Sequence, residues 1–190
     1  MKNTFFFLIL LFPITNYSQI SDLNNGIGVK AGLNYANLRG DETDGFKSRL
    51  SYNFGIFSEF RALRNLSVQP ELQFSSQGGK FNLSGVDVAI VLNYLNVPIL
   101  AKYYIINNFY GQLGPQFSYL LSSELKAEGQ DQGLGELNKF DLALNGGFGY
   151  QLDTNFIIEA RYNYGLLSAE KDANVRKFNS VVQFLLGYKF

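Results

Sequence analysis

The chain has 190 residues, enough for one domain, with no Cys, His or Trp and a formal net charge of zero. Those absences exclude disulfides, thiolate metal sites and any Ser-His-Asp relay, and the balanced charge gives no pull towards nucleic acid. Aromatics reach 16%, as 18 Phe and 12 Tyr, while 19 Gly and only 4 Pro suit a sheet with tight turns. A mean hydropathy of −0.04 fits strands in which apolar and polar residues alternate, not apolar helices.

Lys2 precedes an apolar run, Phe5 to Phe12, which gives way to Pro13 and the polar Thr15, Asn16, Tyr17 and Ser18. A basic start, a short apolar run and a small residue are the parts of a secretory signal peptide. The expected cut follows Ser18 and leaves Gln19 first; the run is too short to span a bilayer. Residues 1–18 are thus read as signal peptide, 19–25 as a short linker and 26–190 as one domain. Loss of residues 1–18 removes Lys2 and brings the net charge to −1.

Eight strands are expected after the linker. In the first, Gly26 to Leu38, the residues Ile27, Val29, Ala31, Leu33 and Tyr35 alternate with Gly28, Lys30, Gly32 and Asn34. A polar loop, 39–49, leads to the second, Leu50 to Arg61, where Leu50, Tyr52, Phe54, Ile56 and Phe60 oppose Ser51, Asn53, Gly55, Glu59 and Arg61. The third starts at Leu66 and sets Val68, Leu72 and Phe74 against Ser67, Gln69, Glu71, Gln73 and Ser75; Pro70 falls on its apolar face. A second long loop is expected over 76–87. The fourth strand, from Val88 to Tyr103, slips in phase near Tyr94: Val88, Ile90, Leu92 and Tyr94 give way to Leu95, Val97, Ile99, Ala101 and Tyr103, and one extra residue there predicts a bulge.

In the fifth strand Phe109, Leu113, Phe117 and Tyr119 oppose Gln112, Gly114, Gln116 and Ser118, and the longest loop is expected over 122–139. The sixth, Phe140 to Leu152, and the seventh, from Phe156, repeat the alternation, with Asp141, Asn145, Glu159, Arg161 and Asn163 on their polar faces. After a loop over 166–177, the eighth strand ends the chain: Val182, Phe184, Leu186, Tyr188 and Phe190 alternate with Val181, Gln183, Leu185, Gly187 and Lys189. Connections alternate long and short, as in outer-membrane barrels with short inner turns and long outer loops. The fold class expected is all-β, an eight-stranded antiparallel up-and-down transmembrane barrel, with both termini on the periplasmic side.

A soluble barrel would hide its apolar set inside. Here that set is rich in Phe and Tyr, too bulky for an eight-stranded interior that only just holds side chains, while the other face carries Gly, Ser, Asn, Gln and charges. The charges are Lys30, Arg61, Lys102, Arg161 and Lys189 against Glu59, Glu71, Asp141 and Glu159. In a narrow lumen such groups must pair, because an isolated buried charge costs several kcal/mol. Arg161 is expected inside, bonded to Glu159, Glu71 or Asp141, with Tyr162 facing lipid. Aromatics gather at both strand ends: Phe60, Tyr103, Phe109, Tyr150, Phe156, Tyr188 and Phe190 at one, Tyr35, Tyr52, Phe74, Tyr119, Phe140, Tyr164 and Phe178 at the other. Two such girdles are expected where a barrel meets the two membrane surfaces.

Specific chemistry is sparse. Glu71 and Glu159 have the makings of an acid–base pair, but an ion pair with Arg161 accounts for both. Gly147-Phe148-Gly149 is followed by no helical pattern and is not a nucleotide loop. Asp41, Glu42 and Asp44 offer oxygens to a divalent ion, against a simpler reading as a solvated loop, and Asn82-Leu83-Ser84 is a sequon by pattern alone. No catalytic residue, metal ligand or cofactor is expected. The partners expected are outer-membrane lipid, the barrel assembly machinery through the final strand ending at Phe190, and a protein at the outer loops. The functions open are a structural or interaction role and a narrow pore for small solutes.

The quoted motifs add a resemblance. Gly28-Val29-Lys30-Ala31-Gly32-Leu33-Asn34-Tyr35 after a leader ending in Ser-Gln, Tyr94-Leu95-Asn96-Val97-Pro98-Ile99-Leu100, Gly114-Pro115, Gly146-Gly147-Phe148-Gly149-Tyr150, Glu159-Ala160-Arg161-Tyr162 and Gly187-Tyr188-Lys189-Phe190 resemble PorT-type outer-membrane β-barrels of Bacteroidetes. The resemblance covers nearly the whole mature chain. It implies a barrel, and a link to the gliding and type IX secretion machinery.

Overall fold

The computed structural model describes residues 26–41, 43, 45–83, 85–127, 130–133, 137–169 and 176–190. The expected signal peptide and linker, and with them Glu42 and Asp44, lie outside the described residues. Nine strands are formed among the described residues: β1 Gly26–Gly40, β2 Arg49–Leu63, β3 Leu66–Leu83, β4 Val86–Ile106, β5 Phe109–Ala127, β6 Gln130–Gly133, β7 Phe140–Gln151, β8 Phe156–Gly165 and β9 Lys177–Lys189. Eight of them close an antiparallel ring, with β1 against β9 and β4 against β5; β6 lies outside it, folded back on the end of β5.

The period-2 pattern explains the wall. Along β8 every second residue is buried, and Ile157, Glu159, Arg161 and Asn163 point inward while Tyr162 and Tyr164 are exposed. The final strand does the same, with Phe184 and Leu186 outside and Gln183, Leu185 and Lys189 inside. A large exposed apolar surface of this kind is the mark of a wall solvated by lipid. Rings meet at both of its ends: Phe156–Tyr188 at 5.2 Å and Tyr188–Phe190 at 5.5 Å beside the termini, Tyr119–Phe140 at 5.2 Å and Phe54–Phe74 at 5.3 Å towards the other end.

Several expectations change. The residues 76–87 are not a loop: β3 runs on to Leu83 and pairs with β4 from Val86, with Gly78 and Gly85 at positive φ. Past Ser75, β3 no longer pairs with β2, and past Tyr119, β5 leaves β7 and pairs with β6. The upper parts of β3, β4 and β5 therefore stand beyond the ring as a separate small sheet. Gly and polar residues disguise this extension, since strands outside the bilayer need no apolar face. The longest loop, 122–139, is shortened in the same way.

No residue is inserted in β4. Its pairing with β3 keeps one register throughout, and Leu92, Tyr94, Asn96, Leu100 and Lys102 share the buried face. The irregularity lies across the ladder, where Asn93 pairs with Ser122 and Tyr94 with Leu120, leaving Leu121 as the extra residue in β5. The apparent slip arises because the inward face of β4 turns from polar to apolar at the mouth. Phe57, Tyr104 and Tyr110 are also inside, so bulk alone does not send an aromatic to the lipid face.

Pro70 faces outward as expected, and the ladder lapses beside it: β2–β3 pairs are missing between Phe57–Glu71 and Phe60–Val68. Pro98 coincides with the same gap between β3 and β4, and Pro115 with one between β4 and β5. A proline has no N–H to give, so each removes a rung where the strand would otherwise bond on both sides.

Candidate functional site

The lumen holds three layers. The first lies towards the termini and is ionic. Lys30 Nζ donates to Glu71 Oε1 at 3.1 Å and to Glu159 Oε1 at 2.7 Å. Arg161 grips Glu71 with both terminal nitrogens, at 2.8 and 2.7 Å, and also bonds Glu159. Beside this quartet, Lys102 and Lys189 reach Glu59 at 3.2 and 3.4 Å, and Lys102 bonds Gln69, which in turn bonds Glu71. Tyr104 and Tyr110 donate to Glu59 and Glu159, and their rings, with Phe57 and Ile157, form an apolar cluster among the charges. Arg61 stacks on Tyr104, 4.5 Å from the ring centre.

The strands leave room for this layer. Gly147 sits directly opposite Arg161 in the ladder, and a Cβ there would collide with the Ala160 carbonyl oxygen. Gly114 is equally tight against the Ile99 carbonyl. Glycine lets neighbouring backbones close in while the guanidinium fills the space above.

The second layer is a ring of amides, one from each strand of the barrel: Asn34, Asn53, Gln73, Asn96, Gln116, Asn145, Asn163 and Gln183, all at most 3% exposed. Asn34 Oδ1 accepts from Asn53 at 2.6 Å and from Gln183 at 2.9 Å, and Gln73 donates to Asn53 at 3.1 Å. Asn145 donates to Gln116 at 3.2 Å, while Asn96 and Asn163 lie opposite Gln73 and Asn145 in the ladder. The sequence shows each amide on a polar face but not that all eight share one height. That depends on how far the tilted strands are staggered around the ring.

The third layer closes the other end. Leu38, Leu92, Tyr94 and Leu120 form a buried apolar cluster, with Phe46, Ile90 and Leu137 packed on it. Phe46 and Leu137 come from connecting segments, which is why strand periodicity did not reveal the cluster.

Of the nine expected lumen charges, the structure brings together Lys30, Glu59, Glu71, Lys102, Glu159, Arg161 and Lys189, with Arg61 at the edge over Tyr104. Asp141 stands apart, at the loop end, where it accepts a hydrogen bond from Asn179 at 2.9 Å. The reason is stagger along β7: Arg161 faces Gly147, and Asp141 is six residues further on, roughly 20 Å along the strand. Asp41 is on the surface, where its carboxylate accepts from the Arg176 backbone, and no metal-ligating cluster occurs among the described residues. Asn82 is tied into the β3–β4 turn, donating to Asp87 and accepting from the Gly85 N–H.

A ring of eight strands with an apolar outside and a packed polar inside is the architecture of an outer-membrane barrel, and the profile of the outer membrane protein β-barrel domain family matches residues 17–169. The chain belongs to that family. Barrels of this family sit in the outer membrane, and that is where this chain is placed. Solved structures agree on the fold. Neisserial surface protein A is 15% identical, with a TM-score of 0.59, over 87% of this chain and 97% of its own. Ail, the attachment invasion locus protein of Yersinia pestis, is 18% identical, with a TM-score of 0.52, over 87% of this chain and 99% of its own. A second Ail structure, in complex with the heparin analogue sucrose octasulfate, gives a TM-score of 0.54 at 20% identity. No curated protein matches.

Proposed function

We propose that this barrel is a closed anchor that acts through its loop end, as a structural or interaction protein, and not through its lumen. The observation that carries this reading is the filling of the lumen at three successive levels by side chains that are almost all buried. An ion crossing it would have to displace the Arg161–Glu71–Glu159–Lys30 quartet, part the amide ring and pass an apolar plug. Meanwhile the ends of β3, β4 and β5 extend beyond the membrane wall and expose Lys80, Asn82, Asp87 and Lys126, polar surface suited to a protein partner. In this reading the termini and short turns face the periplasm, and the final strand with its terminal Phe190 is what the barrel assembly machinery engages.

The test is conductance of the refolded protein in planar bilayers. A closed lumen gives no sustained steps; large stable single-channel currents would establish the pore and overturn this reading. The finer PorT-type assignment and its link to secretion rest on the quoted motifs. Proteins of the secretion machinery co-purifying from detergent-solubilised outer membranes would support it, and lipid alone would count against it.

A further inference from the structure

Among the described residues, three of the four buried acids in the lumen are each held by two cations: Glu59 by Lys102 and Lys189, Glu71 and Glu159 by Lys30 and Arg161. Asp141 has none. It is 8% exposed, and its Oδ1 has no hydrogen-bond partner among the described residues. Its other oxygen takes the Asn179 Nδ2 at 2.9 Å, and that same nitrogen lies 3.2 Å from the Tyr94 hydroxyl.

This contact fixes the Asn179 amide. With its nitrogen on the carboxylate, its oxygen is the arm left open, and that Oδ1 is also buried, without a hydrogen-bond partner among the described residues. Ser118, buried on β5, pairs directly with Asp141 in the ladder and brings a hydroxyl to the same level. The loop end of the lumen thus gathers one carboxylate oxygen, one amide oxygen and two hydroxyls beneath the apolar plug, to which Tyr94 contributes its ring.

We propose that Asp141 and Asn179, with Tyr94 and Ser118 beside them, form a binding site for a monovalent alkali cation at the loop end of the barrel. A buried carboxylate without a counter-charge is costly, and a cation on its open oxygen removes that cost. All the donors are hard oxygens, which suit such ions. The charge decides the valence: one negative charge among neutral oxygens balances a single positive one. Calcium sites gather six to eight oxygens, usually with several carboxylates, and magnesium prefers a rigid octahedron; one carboxylate among neutral donors supplies neither.

The experiment measures reversible folding of the full mature chain into zwitterionic, net-neutral phosphatidylcholine vesicles, at fixed pH and fixed ionic strength. Sodium or potassium chloride replaces N-methylglucamine chloride, whose cation is too large for the site. Above the dissociation constant, a ligand that binds only the folded state raises the folding constant in proportion to its concentration. The wild type should gain up to tenfold per tenfold rise in sodium or potassium, and Asp141→Asn less than twofold. If wild type folds equally well in N-methylglucamine, or if Asp141→Asn keeps the full response, the site does not exist. Should Asp141→Asn fail to fold, Asn179→Leu serves in its place: it removes the amide oxygen, and an undiminished alkali response in that variant equally refutes the proposal.

Discussion

Replacing Arg161 by leucine tests the ionic layer most directly. Arg161 is 2% exposed, and its guanidinium donates to both oxygens of Glu71, at 2.8 and 2.7 Å, and to Glu159. In the variant, Lys30 alone would face two carboxylates, and the quartet would go from neutral to a net charge of −1. Removing one partner of a buried pair costs about 3–5 kcal/mol. The lower end, about 3 kcal/mol, is expected here, because Lys30, Gln69 and Tyr110 still bond the two acids. That is a loss of roughly a hundredfold in the folding constant. The chain has no Trp, so the readout is far-ultraviolet circular dichroism or the gel shift of the folded barrel across a urea series in vesicles. The double variant Arg161→Leu with Glu71→Leu takes out both charges and leaves Lys30 balanced by Glu159, so most of the loss should return. A single variant within about 1 kcal/mol of wild type, or a double as unstable as the single, would refute the argument that these charges depend on one another.

Other expectations use the same assay. Phe184→Arg, on the lipid face midway between the two girdles, should cost about 2–4 kcal/mol, whereas the same change in a soluble barrel would cost little on an exposed site. Asn34→Leu withdraws the acceptor shared by Asn53 and Gln183 and should destabilise by about 1–3 kcal/mol for each donor left unpaired, with an undisturbed stability arguing against a bonded ring. Gly147→Val places a side chain against the Ala160 carbonyl and should cost at least about 1–3 kcal/mol; a Val tolerated there would mean the strands can part at that point.

Much of this barrel was legible in the chain itself. Alternation is a local property, so the inward and outward faces of β1, β8 and β9, the position of Pro70 on the outside and the burial of Arg161 beside an exposed Tyr162 all follow from residues a few places apart. Both aromatic girdles follow too, because strand ends are marked by turns. What a linear reading could not supply is height relative to other hairpins. Asp141 is placed by its neighbour Phe140 at the loop end, away from Glu159 near Phe156; what stagger between tilted strands decides is which residues of separate hairpins share a level, and it lines up eight separate amides into one ring. Nor could alternation reveal a change of solvent along one strand. The inward face of β4 meets charged groups at Lys102, amides at Asn96 and an apolar plug at Tyr94 and Leu92, and the plug exists only because Phe46 and Leu137 fold over the mouth. Which face a residue takes is set by its neighbours in the chain; what it meets there is set by strands and loops that only closure of the ring brings together.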